Sequence, residues 1–204
     1  MQIYTDRLFM TIQSLVTQHH TIYPWLPPQG IFFEALAERA FHLSGMPDAH
    51  IAQTATNAPA HDIIVGNERV SLKTETGRGT KPGLISITKL CTTEREPWEA
   101  ATLIGRTTEH LSRYDLMLML RAIWGDELIH YQLVDIPLEL LRLIRRAELE
   151  PVGRRRGRGS LGGDITIGEQ VVFHVHFDGS DGKCQVRNLL LARCRLLGEW
   201  EQRL

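Results

Sequence analysis

Cysteine is scarce in this chain: there are three in 204 residues, Cys91, Cys184 and Cys194, far apart and without a CxxC pair. That spacing signals neither a zinc site nor a disulfide framework, and it fits a reducing cytoplasm. Long apolar runs are missing as well. No stretch approaches the roughly 20 residues that span a bilayer, and the opening residues lack a basic segment followed by an apolar core. A soluble, cytoplasmic protein without membrane association is expected. Charge of one sign is also lacking. The formal net charge of −1 excludes a coat of positive charge but leaves room for local basic clusters.

What is present reads as alternating helices and strands. The opening stretch to about Val16 predicts a helix, followed by a polar, Pro-rich connector, "TQHHTIYPWLPPQG". Next, "GIFFEALAERAFHLSG" sets Phe33, Leu36, Ala37 and Ala40 at helical spacing, with Gly45 as a stop. The segment to Ala60 reads as loop with room for a short edge strand. "LISITKL" predicts a strand and "PWEAATLIGRTTEHLSRY" a helix with Pro97 in its first turn. "DLMLMLRAIW" and "ELIHYQLVDI" predict adjacent strands joined at Gly125-Asp126, and "PLELLRLIRRAELE" a helix started by Pro137. The Gly- and Arg-rich "VGRRRGRGSLGG" is the strongest candidate boundary. After it, "QVVFHVHFDG" and "KCQVRNLLLARCRLL" are joined by the turn "GSDG". There is no internal repeat. The order predicts an α/β fold with a mixed sheet flanked by helices.

After the second helix and the loop to Ala60, the hydrophobic period changes. "HDIIVGNERVSLKTET" holds two short β-prone runs around Gly66-Asn67, a hairpin signal. Symmetric pairing about that turn sets Val65 opposite Glu68, Ile64 opposite Arg69, Ile63 opposite Val70 and Asp62 opposite Ser71. Alternation then segregates the faces: Ile63, Val65, Val70 and Leu72 on one, Asp62, Ser71 and Lys73 on the other. Three polar groups converge at the open end of a hairpin whose rear face is anchored in a core, a rigid way to present chemistry.

Asp62 followed by Ser71-Leu72-Lys73 on the next strand resembles the PD-(D/E)XK nucleases, which include most type II restriction endonucleases and some repair and junction enzymes. The resemblance covers about residues 30–136. It implies a restriction-endonuclease-like core; with the strands and Arg-rich loop that follow, which carry no signature of that family, the chain reads as one nuclease domain of 1–204, its catalytic core about 30–150 and its additional C-terminal, DNA-binding strands about 151–204. The resemblance further implies Mg²⁺ at Asp62, water activation or positioning by Lys73, double-stranded DNA as substrate, no nucleotide cofactor, and a symmetric homodimer acting on a palindromic site. A hard cation between carboxylates polarises a phosphate, and an ammonium stabilises the charge that develops on it. Two departures stand out. Pro59 lies three residues before Asp62, and Ser71 stands where an acid is usual. A serine variant of the motif takes its missing charge from a Glu elsewhere, so Glu34 on the preceding helix is the leading candidate, ahead of Glu38, Glu75 and Glu99.

Basic residues outside the hairpin are candidate DNA contacts. Arg154, Arg155, Arg156 and Arg158 form a cluster interleaved with glycine, extended by Arg142, Arg145 and Arg146; it reads as phosphate-binding or as a solvated loop. Lys183, Gln185 and Arg187 alternate with Cys184 and Val186, with Asn188 adjacent. They suit contacts to base edges from a β-ribbon, or equally the solvent face of an edge strand. Arg78 and Lys81 in "TGRGTKPG" suit a backbone contact or a plain connector, because the P-loop spacing is absent and a strand follows. His174 and His176 share a strand face without a third metal ligand at a telling distance, which favours a structural or surface role. The rival to an endonuclease is a DNA-binding or regulatory protein that kept the fold and lost an essential carboxylate at Ser71.

Overall fold

The computed structural model describes residues 3–51, 62–93, 98–153 and 159–204. Two units emerge, each threaded by non-contiguous chain. The first is Met1–Lys81, Arg113–Pro137 and Cys194–Leu204; the second is Pro82–Ser112 and Leu138–Arg193.

The first unit is a six-stranded mixed sheet with two helices on one face. Helix α1 is Asp6–Ile22 and α2 is Ile31–Leu43; the strands are β1 (His50–Ile51), β2 (Ile63–Val65), β3 (Glu68–Glu75), β5 (Leu116–Trp124), β6 (Leu128–Asp135) and β11 (Arg195–Arg203), adjacent in that order. Only β3 and β5 run parallel; the other neighbours are antiparallel. Leu8, Ile12 and Val16 of α1, Phe33, Ala37, Ala40 and Phe41 of α2, and Ile63, Val65, Val70, Leu118, Leu120, Tyr131 and Leu133 of the sheet are all buried in one core. Leu72 joins them, so the apolar hairpin face lies where its alternation sent it. The register of β2 on β3 is the expected one, Ile63 against Val70, Ile64 against Arg69 and Val65 against Glu68.

Helix α1 is longer than the sequence led us to expect. Thr5 starts it by accepting a hydrogen bond from Leu8 N at 3.1 Å, a cap worth about 1 kcal/mol. Its buried stripe, Leu8, Ile12 and Val16, continues one turn further to His20, which carries the helix to Ile22 and moves the connector back to Tyr23. Buried His20 is satisfied at both ring nitrogens: Nε2 pairs with the Tyr131 hydroxyl at 2.7 Å and Nδ1 with the Pro24 carbonyl at 3.0 Å. The neutral tautomer with its proton on Nδ1 meets both. Strand β11 crosses α1 at Gly198, where a β-carbon would sit 2.2 Å from the Phe9 ring. Trp200 then packs edge-on to Phe9 and stacks on Tyr131.

Burial holds the His20 pKa below its ordinary 6.5, the Pro24 carbonyl opposing this and the His19 charge adding to it. A depressed folded value means that the unfolded chain takes the proton first. The contribution is therefore complete above about pH 6.5 and is lost as pH falls from there through the folded pKa. Thermal melts of the wild type should lose stability over that interval, and His20→Phe should flatten this part of the profile. An unchanged slope in the variant would place the acid sensitivity elsewhere.

The second unit is a five-stranded antiparallel sheet, ordered β4 (Leu84–Thr92), β10 (Lys183–Leu190), β9 (Gln170–Asp178), β8 (Ser160–Ile167) and β7 (Glu150–Val152), with helices α3 (Ala100–Ser112) and α4 (Leu138–Leu141). Three expectations need correction here. The strand at Leu84–Thr92 pairs with β10 in a second sheet, where one mixed sheet was expected. The helix after Pro137 is short: α4 gives way to a 3₁₀ turn at Arg142–Arg146, and Glu150 already belongs to a strand. Strands β8 and β11 were not anticipated: the first begins inside the Gly-rich boundary and runs on to Ile167, and the second begins at the end of "KCQVRNLLLARCRLL" and runs on to Arg203. Cys91 and Cys184, both buried and free, are direct partners across β4 and β10, and burial pushes the Cys184 thiol up.

The α/β class with a mixed sheet, flanking helices and extra C-terminal strands is thus the observed one, and it is consistent with a restriction-endonuclease-like fold. Among the described residues no helix is long and apolar enough to cross a membrane.

Candidate active site

Asp62 immediately precedes β2, and its Oδ2 gathers three donors from β3. Leu72 N donates at 2.5 Å, the Ser71 hydroxyl at 3.1 Å and the Lys73 ammonium at 3.3 Å. Oδ1 has no hydrogen-bond partner among the described residues. Lys73 Nζ also donates to Ser71 Oγ at 2.8 Å and to the Leu72 carbonyl at 3.1 Å. Ser71, fully buried, therefore links the two charges, accepting from the lysine and donating to the aspartate. The side chains of Lys73 and Asp62 are 17% and 23% exposed, enough shielding to strengthen their attraction while leaving both within reach of solvent.

Glu34, on the first turn of α2, completes the cluster electrostatically. Its pKa is raised, first by burial and then by the negative charge of Asp62, with Lys73 pulling the other way. Two partly desolvated carboxylates that feel each other's charge are costly unless a cation offsets them. Mg²⁺ suits such a pair, because it is usually held by one or two carboxylates with water and phosphate oxygens filling the remaining positions. Among the described residues no three acidic, histidine or cysteine side chains converge as a metal cluster.

Two of the alternatives to Glu34 are otherwise engaged. Glu38 accepts from Ile51 N at 2.7 Å and so holds β1 in place. Glu75 is ion-paired with Arg121 at 2.7 Å. Glu99 is exposed in the second unit, its carbonyl accepting from Leu103 N at the start of α3. Sequence reasoning missed Arg121. It is fully buried on the sheet face that carries Ser71 and Lys73, donating to Glu75, to Gln132 Oε1 at 2.6 Å and to the Lys81 carbonyl at 2.6 Å. One arginine inside the apolar run "LMLMLRAIW" was the available signal, since a buried guanidinium requires an acid partner.

The family SmaI, described as type II site-specific deoxyribonuclease, matches residues 11–202. This chain belongs to the SmaI family. The type II restriction enzyme SmaI of Serratia marcescens is 28% identical to it over 203 residues, 98% of this chain and 81% of that enzyme. No solved structure matches. As a SmaI-family member the chain is a DNA-binding hydrolase, a site-specific endonuclease of the restriction type, and the expected enzyme class holds.

The other candidate residues of this SmaI-family enzyme fall into three places. Arg78 and Lys81 are exposed in the loop leaving β3. That loop is pinned by Trp124 Nε1 on the Thr76 carbonyl at 2.9 Å, by Arg121 on the Lys81 carbonyl, and by the Arg78 guanidinium 4.6 Å from the Trp124 ring. Arg154, Arg155, Arg156 and Arg158 lie outside the described residues, as does Pro59. Arg142 is tied to Glu139 and to the Leu111 carbonyl, whereas Arg145 and Arg146 are exposed.

Lys183, Gln185 and Arg187 do share one face of β10, with Cys184 and Val186 buried on the other. Strand β10 is interior, between β4 and β9, so the edge-strand alternative fails. His176 and His174 of β9 stand directly opposite Gln185 and Arg187. Arg187 donates through Nε and Nη2 to Gln185 Oε1, and His174 Nδ1 pairs with Asp164 at 2.8 Å. At Asn188 the backbone takes a positive φ of 54°, where the pairing with β4 shifts register between Val186 and Leu189. A bulge of this kind re-aims the side chains on either side of it.

Proposed function

We propose that this enzyme cleaves double-stranded DNA at a palindromic site with Mg²⁺, through the serine variant of the PD-(D/E)XK motif formed by Asp62, Ser71, Lys73 and Glu34. The observation that carries the reading is the convergence of Leu72 N, Ser71 Oγ and Lys73 Nζ on one oxygen of Asp62. Asp62 and Glu34 would hold the cation, which when bound lowers the pKa of a ligating water and offsets phosphate charge. Lys73, oriented by Ser71 and the Leu72 carbonyl, places its ammonium beside the reacting phosphate. There it stabilises the extra negative charge as water oxygen attacks phosphorus and one P–O ester bond breaks. Ser71 keeps the ammonium and the carboxylate in register without adding charge. Both units serve one nuclease activity, carried out in the cytoplasm by a symmetric pair of chains.

Glu34→Gln tests the metal assignment with two readouts. Because the fold raises the Glu34 pKa, the ionised form is a liability at neutral pH. The glutamine variant should melt at the same or a higher temperature there, an advantage that fades as pH falls toward the ordinary 4.5. Mg²⁺ should stabilise the wild type more than the variant, and cleavage should fall by about 10–100-fold, as for weakened metal ligation. Full activity together with an undiminished Mg²⁺ shift would remove Glu34 from the site.

The basic groups bind the duplex in this reading. Arg78 and Lys81 contact the backbone beside the hairpin, Arg154 to Arg158 neutralise phosphates, and the Lys183, Gln185, Arg187 and Asn188 face reads base edges, where Arg and Gln forks discriminate guanine and adenine. Replacing the four arginines should weaken binding to all sequences and reduce the log–log salt slope by about 0.9 per lost contact. An unchanged slope assigns the segment to solvent.

A further inference from the structure

The link between α1 and α2 carries the largest apolar surface left uncovered in the first unit. Ile22, Tyr23, Trp25, Leu26, Ile31 and Phe32 are all exposed, Ile31 to 71%, Ile22 to 70% and Trp25 to 63%. They form one patch. The rings of Tyr23 and Phe32 lie 6.4 Å apart, His19 sits 5.1 Å from Tyr23 and 6.3 Å from Phe32, and His19 Nε2 reaches the Leu26 carbonyl at 2.9 Å. Scattered exposed apolar residues need no explanation, whereas a contiguous group of this size marks a binding surface.

Its charge identifies the occupant. From Ile22 to Phe33 the chain contains no Lys, Arg, Asp or Glu, so the apolar side chains of the link offer a phosphate no cation of their own. A surface without charge is, however, compatible with itself, and a two-fold interface needs self-compatibility because it sets one patch against its own copy. The area is also sufficient. At roughly 200 Å² per large side chain the exposed fractions amount to about 700 Å², close to the ~800 Å² that each partner contributes to a standard interface.

We infer that Ile22, Tyr23, Trp25, Leu26, Ile31 and Phe32 form the contact surface of a symmetric dimer of this chain. The inference rests on the hydrolytic reading above, under which each chain supplies one Asp62–Lys73 pair and a double-strand break requires two. The patch enters α2 at Ile31, within one turn of Glu34. Dimerisation there braces the helix that presents the metal-site carboxylate, and it pairs the two sites about one axis.

Sedimentation velocity of the full chain without DNA, over a wide concentration range, tests this on the wild type, Trp25→Glu/Ile31→Glu, the milder Trp25→Ala/Phe32→Ala, and Met10→Glu as an exposed apolar control away from the patch. The wild type and Met10→Glu should sediment as dimers. Both patch variants should dissociate, the glutamates raising the dimer Kd about 100-fold or more, as expected for charged replacements of central anchors. Circular dichroism identifies a variant that fails to fold, in which case the alanine pair decides. A wild type that is monomeric throughout, or patch variants that associate as tightly as the wild type, would overturn the inference. Plasmid cleavage separates it from the hydrolytic reading. A dissociated but active variant should accumulate nicked circles where the wild type gives linear product, whereas a dimer that cuts nothing would sink the catalytic assignment and leave the interface intact.

Discussion

Asp62→Asn should eliminate cleavage and should weaken Mg²⁺ binding while leaving the protein folded. The asparagine has nearly the same shape, and its carbonyl oxygen can still accept from Leu72 N and the Ser71 hydroxyl, which donate to Asp62 in the wild type. What it cannot supply is charge. A hard divalent cation loses one of its two anionic ligands, and Lys73 loses the carboxylate that balances it. Hydrogen bonds to charged groups contribute about 1.5–3 kcal/mol each when fully formed, and partial exposure of both side chains places the stability cost at the low end of that range. Titration of Mg²⁺ by calorimetry, alongside a thermal melt, separates these effects. Retained metal affinity with retained cleavage would move the metal away from β2.

Lys73→Ala should fail differently. Asp62 keeps its charge and its bonds from Leu72 N and Ser71, and Glu34 is untouched, so metal and DNA should both bind nearly as in the wild type. In the proposed mechanism the ammonium also offsets charge that develops during the reaction, so the larger loss should appear in the rate of the chemical step rather than in binding. Removal of one such electrostatic contact costs about 10²–10³-fold, or roughly 2.7–4 kcal/mol. Lys73→Arg would not restore the rate, because a planar guanidinium cannot take the place of an ammonium that donates at once to Asp62, Ser71 and the Leu72 carbonyl.

The hairpin that carries Asp62, Ser71 and Lys73 was legible as a fold because its determinants are local. A Gly66-Asn67 turn between two alternating runs fixes which residues pair, and a slip by one would have turned Ile63, Val65, Val70 and Leu72 to the wrong face. Helix α2 was legible for the same reason. The partner of a strand is not a local property. Leu84–Thr92 reads as a strand in isolation, but its neighbour β10 lies about a hundred residues further along, and nothing in the alternation of Ile85 and Ile87 says which sheet receives them. Strand β11 was hidden by its composition, in which Trp200 alone is deeply buried among exposed or half-buried neighbours. The end of α1 was misread because two histidines look like solvent, whereas His20 is a core residue with both nitrogens satisfied. Arg121 announced a buried acid, but naming Glu75 required the parallel register of β3 and β5, in which the two residues are direct partners.

If Lys73, presented by the hairpin, acts on the phosphate during cleavage, its loss must slow the chemical step itself. The most direct measurement is single-turnover cleavage of one defined duplex in saturating Mg²⁺, comparing Lys73→Ala with Arg69→Ala. Arg69 lies on the same strand nearer the turn, and its guanidinium is held by Asp115 at 2.8 Å in an exposed pair. Arg69→Ala should therefore stay within about tenfold of the wild type, an allowance of ~1.4 kcal/mol, while Lys73→Ala falls by about 10²-fold or more with duplex affinity unchanged. Wild-type cleavage by folded Lys73→Ala, or equal losses in both variants, would contradict the assignment.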